Sequence, residues 1–224
     1  MTKRARFGIE RYPVVLFDFD GTLADTGPAV MRTVRRTLEE KGFGPVREED
    51  LRKILGPPLP AGFCMAFGLS PEDAIACTEA YRARFAREMG PGDCPPFPGV
   101  PGMLAALKRE GRAIAVATSR LQASAEQMLA DAGIRDYFDA VAGRDETEGR
   151  ATKGDSIRYA LELLGGALPQ DAVMVGDRFH DVDGAREVGC AVIGVYTGAA
   201  AEGEFDRADA ACHGIAEVAT LLGV

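Results

Sequence analysis

Val14-Val15-Leu16-Phe17-Asp18-Phe19-Asp20-Gly21-Thr22 begins with four apolar residues and closes on acid, glycine and hydroxyl. A short, β-branched-rich run without polar alternation is the pattern of a strand buried on both faces, as in a parallel sheet. Runs of the same kind recur at 113–117, 173–175 and 192–195, and a weaker one stands at 140–142. Helical spacing fills the intervals. Met103, Leu104 and Leu107 share a face before Gly111; Ala125, Met128, Leu129 and Ala132 do so before Gly133. Ile157, Ala160, Leu161 and Leu164 precede Gly165, and Ala185 and Val188 precede Gly189. Glycine after the last periodic residue is a helix stop signal. Strand followed by helix, repeated, predicts an α/β fold built on a doubly wound parallel sheet.

The rhythm breaks between Asp25 and Asp93, where no strand pattern is visible. Val30, Val34 and Leu38 mark one helix ended by Gly42, and Leu51, Ile54 and Leu55 form a short apolar cluster. Ser70-Pro71-Glu72-Asp73 starts a third helix, with Ser as N-cap, Pro at the first helical position and an acid three residues on; this helix extends towards Met89. The sequence therefore divides into an α/β core, 1–24 and 94–224, and an inserted all-helical domain, 25–93.

The chain has 224 residues, 46% hydrophobic and 27% charged, in the range of a folded globular protein. Its net charge of −8 disfavours nucleic acid or an anionic membrane as partner, since both call for clustered cations. Residues 25–93 carry 10 basic and 11 acidic side chains, so the excess acid lies in the core. No run of ~18 apolar residues marks a membrane span. The N-terminal MTKRARFGIERYP lacks the apolar segment of a secretory signal. Five scattered cysteines without a C-x-x-C pair read as reduced thiols of a cytoplasmic protein, not as a zinc or redox site. Nothing in the sequence sets an oligomeric state.

In an open parallel sheet, ligands bind at the carboxyl ends of the strands. Those ends carry Asp18 and Asp20, then Thr118 and Ser119, then Gly176-Asp177 with Asp181 four residues on; Lys153 precedes a helix between the third and fourth runs. Asp18 and Asp20, two apart on an extended chain, point the same way and repel unless neutralised. Asp177 and Asp181 add to that charge. A hard, oxygen-seeking cation such as Mg²⁺ is the natural counter-ion. Thr118, Ser119 and Lys153 are donors suited to phosphate oxygens. An acidic metal cluster facing a donor cluster is the arrangement phosphoryl transfer needs.

The motifs Asp18-Phe19-Asp20-Gly21-Thr22-Leu23, Ala117-Thr118-Ser119, Thr152-Lys153-Gly154-Asp155 and Val175-Gly176-Asp177-Arg178-Phe179-His180-Asp181 resemble, in order, those of the haloacid dehalogenase-like (HAD) hydrolase superfamily. Leu55-Gly56-Pro57-Pro58-Leu59 resembles its phosphoglycolate phosphatase-like group; it either carries a helix end to the substrate or is a helix-breaking turn. The resemblance implies a Rossmann-like catalytic core with a helical cap at 25–93. It implies Asp18 as nucleophile, forming an aspartyl-phosphate, and Asp20 as acid for the leaving alcohol and base for the attacking water. Thr118 and Lys153, with Gly21 and Ser119, would bind phosphate. Asp18, the backbone carbonyl of Asp20, and Asp177 would hold Mg²⁺, with Asp181 as a further ligand or a partner of one.

Dehalogenase members lack an acid two residues after the nucleophile, so Asp20 favours a phosphatase acting on a small phosphorylated metabolite. The expected activity is Mg²⁺-dependent hydrolysis of a phosphoglycolate-like phosphomonoester. Nucleotide or sugar-phosphate phosphatases and a β-phosphoglucomutase-type mutase are alternatives within the family. A phospho-accepting receiver module is the non-enzyme alternative; the position of the acid pair and the 69-residue helical insertion speak against it. Arg120, Arg178, His180 and His213 receive no assigned role, His180 being read as a loop residue.

Overall fold

A computed structural model describes residues 12–57 and 59–224. The N-terminal signal reading rests on residues 1–11 and so lies outside the described residues, as does Pro58 of the 55–59 segment. The chain divides into two compact units, one formed by the residues up to Asp25 with Cys94–Val224, the other by Thr26–Asp93.

Among its described residues the first unit is built on six strands: β1 (Val14–Phe17), β2 (Ala113–Leu121), β3 (Ala140–Arg144), β4 (Ala172–Gly176), β5 (Ala191–Val195) and β6 (Ala210–Cys212). They form one sheet in the order β3-β2-β1-β4-β5-β6, every pairing parallel. The direction of winding reverses at β1, which pairs β2 on one side and β4 on the other, so a topological switch point lies between β1 and β4. All four residues of β1 and all five of β4 are buried, which is why both read as unbroken apolar runs.

Among the described residues this unit has the α-helices α5 (Val100–Arg109), α6 (Gln122–Asp131), α7 (Lys153–Leu163), α8 (Phe179–Val188) and α9 (Ile215–Leu222). Their buried faces are the periodic residues of the sequence, such as Met103, Leu104 and Leu107 on α5 and Ile157, Ala160 and Leu161 on α7.

The second unit contains α1 (Gly27–Glu40), α2 (Glu48–Arg52), α3 (Ala61–Phe67) and α4 (Pro71–Glu88), with no strand among its described residues. Ser70 caps α4, its hydroxyl accepting the Asp73 N–H at 3.1 Å, and Pro71 sits at the first position. Val34 and Leu38 of α1 and Cys77, Tyr81 and Phe85 of α4 are buried, and Arg36 reaches Glu88 across the pair at 3.2 Å. Phe63 of α3 is fully buried, its ring edge-on to Tyr81.

Four local readings change. The second strand does not stop at Ala117: it runs to Leu121, with its pairing to β3 broken between Ala117 and Leu121. Lys153 is the first residue of α7 itself, behind a Thr152 cap. His180 is the second residue of α8, not a loop residue, and its ring lies on Phe179 at 3.9 Å between centroids. The short elements α3, β6 and α9 add to the elements read from periodicity. The β6 residues Ala-Ala-Cys are too few and too small to form an apolar run.

Candidate active site

Asp18 follows β1 directly, its backbone N–H bonded to Val175 O of β4 at 2.9 Å, so the ladder continues into the acidic segment. Asp177 follows β4. The two carboxylates thus stand on either side of the switch point. Asp181, in the first turn of α8, folds back so that its Oδ2 accepts the Arg178 N–H at 3.0 Å. Asp18, Asp177 and Asp181 are all buried and each offers a carboxylate oxygen within 4.8 Å of the others.

Lys153 is the cation among them. Its ammonium donates to Asp18 Oδ1 at 2.8 Å and to the Ala117 carbonyl at 3.0 Å, and lies 2.7 Å from Asp181 Oδ1. Two features of the chain bring it there. Thr152 and Asp155 form a capping box that fixes the start of α7. Gly184 then lets α8 approach, since a Cβ built there would stand 2.8 Å from Lys153 Cγ and 3.0 Å from the Gly154 nitrogen.

Burial sets the electrostatics. It pushes the Asp18 carboxyl up to about 6 against the opposing pull of Lys153, with the charges of Asp181 and Asp20 adding to the rise. Burial, reinforced by Asp18 and Asp181, pushes Asp177 up to about 8. Burial works against the Lys153 ammonium, but Asp18 and Asp181 together outweigh it and hold the lysine above its ordinary range.

The site asks for a further cation. Asp177 Oδ1 is buried without a hydrogen-bond partner, which is costly unless something outside the chain satisfies it. The donor set is entirely oxygen, suited to a hard divalent ion such as Mg²⁺ and not to a soft metal. Asp18, Asp177 and Asp181 therefore fit a metal centre. The Asp20 carboxylate is not part of this cluster.

Thr118 is buried; its hydroxyl accepts the Arg120 N–H at 3.3 Å and its carbonyl accepts the Ser156 hydroxyl at 3.2 Å. Ser119 is exposed. Gly21, for which the resemblance implies phosphate binding, has its N–H bonded to Ala24 O at 3.0 Å and its carbonyl accepting the Thr197 hydroxyl at 2.5 Å. Its left-handed backbone (φ +70) also packs where a Cβ would stand 2.2 Å from Asp177 Oδ2.

Sequence reading missed Thr197-Gly198-Ala199, which follows β5. The Ala199 N–H donates to Asp177 Oδ2 at 3.2 Å, and a Cβ on Gly198 would stand 1.9 Å from that oxygen and 2.9 Å from Gly21 Cα. Asp177 lies in a slot between two glycines. Gly198→Ala is expected to displace the carboxylate and lower both Mg²⁺ affinity and kcat by about tenfold or more; isothermal titration with Mg²⁺ and a rate assay check this.

Arg178 pairs with Glu204 at 3.0 Å, and Glu204 also accepts the N–H groups of Phe179 and Ala201, tying the loop after β5 to the start of α8. His213 is exposed and stacks on Tyr196. Arg120 is unlike either: it forms a two-armed ion pair with Asp20, Nε to Oδ2 at 2.7 Å and Nη2 to Oδ1 at 2.6 Å.

A family model described as haloacid dehalogenase-like hydrolase matches residues 15–195. The chain is similar to the tyrosine-protein kinase PtkA of Mycobacterium tuberculosis, 39% identical over 190 residues that cover 84% of this chain and 63% of that protein. It thus spans less than two thirds of that relative's length. A 5'-nucleotidase of Pseudomonas aeruginosa is 35% identical over 214 residues, 96% of each chain. The solved structure of a predicted phosphatase from Clostridium acetobutylicum matches with a TM-score of 0.84 at 31% identity, covering 94% of this chain and 98% of the other.

Proposed function

Because the chain belongs to the haloacid dehalogenase-like hydrolase family, we propose that it is a Mg²⁺-dependent phosphatase that hydrolyses a small, phosphoglycolate-like phosphomonoester through an aspartyl-phosphate on Asp18. The observation that carries this reading is the position of Asp18, bonded to Lys153 at 2.8 Å within a buried three-carboxylate cluster at the switch point of the sheet. A carboxylate so placed is oriented by a fixed cation, and its neighbours supply a divalent site.

In the first half-reaction an Asp18 oxygen bonds to phosphorus and the ester oxygen leaves, taking a proton from Asp20. In the second, Asp20 takes a proton from water, the water oxygen bonds to phosphorus, and the bond to Asp18 breaks to release inorganic phosphate. Lys153 and Thr118 hold the phosphoryl oxygens. When bound by Asp18, Asp177, Asp181 and the Asp20 carbonyl, Mg²⁺ offsets the negative charge gathered on carboxylates and phosphate. The helical unit, 26–93, is assigned the substrate-selecting role that the resemblance implies. The partner is a small phosphorylated metabolite, with neither nucleic acid nor membrane. Among the described residues no helix is long and apolar enough to cross a membrane, and five cysteines that form no disulfide fit a cytoplasmic setting.

The test is a phosphate-release panel of phosphoglycolate, nucleoside monophosphates, sugar phosphates and 4-nitrophenyl phosphate, with and without EDTA. Release that EDTA abolishes supports the reading. Isomerisation of a sugar phosphate without free phosphate, or transfer from ATP to tyrosine without ester hydrolysis, would overturn it. Asp20→Asn is expected to lower turnover of an alkyl ester by about 10²–10⁴-fold while leaving Mg²⁺ affinity within about twofold; unchanged turnover would remove Asp20 from the acid–base role.

A further inference from the structure

The pair between Arg120 and Asp20 has no part in the reaction as written above, yet it occupies both oxygens of the acid–base carboxylate. It joins residues 100 apart in sequence. Arg120 is held for the purpose. β2 continues beyond Val116, the last residue that it pairs with β1, and its pairing with β3 lapses after Ala117 and resumes only at Leu121, which leaves Thr118, Ser119 and Arg120 outside the ladder. The Arg120 backbone N–H is fixed to Thr118 Oγ1, and its side chain is only 15% exposed while that of Asp20 is 33% exposed. A part-exposed Asp at the end of a strand would otherwise sample its rotamers freely. A planar guanidinium meeting a carboxylate with two parallel bonds fixes the plane of that carboxylate as well as its place, which a lysine ammonium cannot do.

We propose that Arg120 is a positioning residue for Asp20: its fork sets the rotamer and plane of the acid–base carboxylate, so that proton delivery to the leaving alcohol depends on it. The proposal rests on the acid–base role assigned to Asp20 above. It differs from a general electrostatic role, in which any cation would serve, and from a substrate contact, in which Arg120 would act without Asp20.

The experiment measures kcat/KM of wild type, Arg120→Ala, Arg120→Gln, Arg120→Lys, Asp20→Asn and the Asp20→Asn/Arg120→Ala double variant on two esters. One is propyl phosphate, whose alkoxide must be protonated as it leaves. The other is 4-nitrophenyl phosphate, whose leaving group needs little help. Loss of Arg120 is expected to lower kcat/KM on the alkyl ester by about 30–100-fold and on the aryl ester by less than about fivefold, mostly in kcat. Lysine should restore only part of the loss. In the Asp20→Asn background the Arg120→Ala change should cost nothing further, as for two groups acting as a unit. Equal losses on both esters, a full additional loss in the Asp20→Asn background, or full rescue by lysine would each overturn the proposal while leaving the phosphatase reading intact. Wild type inert on these two esters and on the whole phosphate-release panel would overturn the phosphatase reading and the proposal with it. Arg120→Gln, which keeps much of the part-buried stem, guards against a folding defect in Arg120→Ala.

Discussion

Asp18→Asn is expected to abolish phosphate release, by about 10⁴–10⁶-fold in kcat, with the fold intact. A carboxamide matches the carboxylate in size, so packing at the end of β1 is kept, but its oxygen is too weak a nucleophile to form the covalent intermediate. Stability gives a second readout. Burial and the neighbouring carboxylates already push Asp18 upward, so replacing it with a neutral group relieves repulsion among three buried acids. Lys153 keeps Asp181 at 2.7 Å and the Ala117 carbonyl at 3.0 Å. The melting temperature without Mg²⁺ should therefore be unchanged or higher, while the stabilisation that Mg²⁺ confers on wild type should shrink. Rate assays and paired thermal melts with and without Mg²⁺ check both parts; full activity would remove Asp18 as the nucleophile.

Lys153→Met is expected to be damaging in a different way, to fold as well as to rate. The lysine side chain is 6% exposed and serves Asp18, Asp181 and a main-chain carbonyl at once. Removing one member of a buried ion pair leaves the others desolvated and unpaired, at a cost of roughly 3–5 kcal/mol. For a chain of this length that is a fall in melting temperature on the order of 10 °C. Turnover should drop by about 10³-fold, since the same ammonium is assigned to the phosphoryl oxygens. The two effects separate in combination: adding Asp18→Asn should recover part of the stability and none of the activity, because it removes one of the carboxylates the methionine leaves bare. A Lys153→Met protein that melts like wild type would contradict the placement of its ammonium between Asp18 and Asp181.

The parts of the fold legible in the sequence were those where one physical cause writes one pattern. β1 and β4 are buried on both faces, so Val14–Phe17 and Val173–Val175 are apolar throughout. Ser70 and Pro71 wrote the start of α4 because the cap and the fixed proline φ leave few other readings. Acids at strand ends pointed to Asp18 and Asp177, since the carboxyl edge of a parallel sheet is where ligands meet the backbone.

What escaped reading depends on contacts between distant segments. Gly198 follows β5, where strand-end reasoning does look, but Thr197-Gly198-Ala199 carries no charge to draw notice; only its proximity to Asp177 gives it a role. Gly184 is one more small residue on a helix until α7 packs against it and Lys153 needs the room. Arg120 receives no role from the sequence, because no local pattern joins it to Asp20. Gly21 sits inside the most recognisable motif of the chain, yet no local pattern shows that its backbone polar groups bond to Ala24 and Thr197 or that a Cβ there would meet Asp177.

The central claim, a phosphoryl group carried on Asp18, is tested most directly by trapping it. Wild-type enzyme mixed with Mg²⁺ and excess 4-nitrophenyl phosphate is quenched in acid within milliseconds to seconds, digested at low pH and mapped by mass spectrometry, with Asp18→Asn as control. The expected result is the mass of one phosphoryl group on the peptide containing Asp18, appearing with turnover, decaying after substrate is spent and absent from the variant. Turnover at full rate with no phosphorylated peptide at any time, or with the group on another residue, would contradict the account.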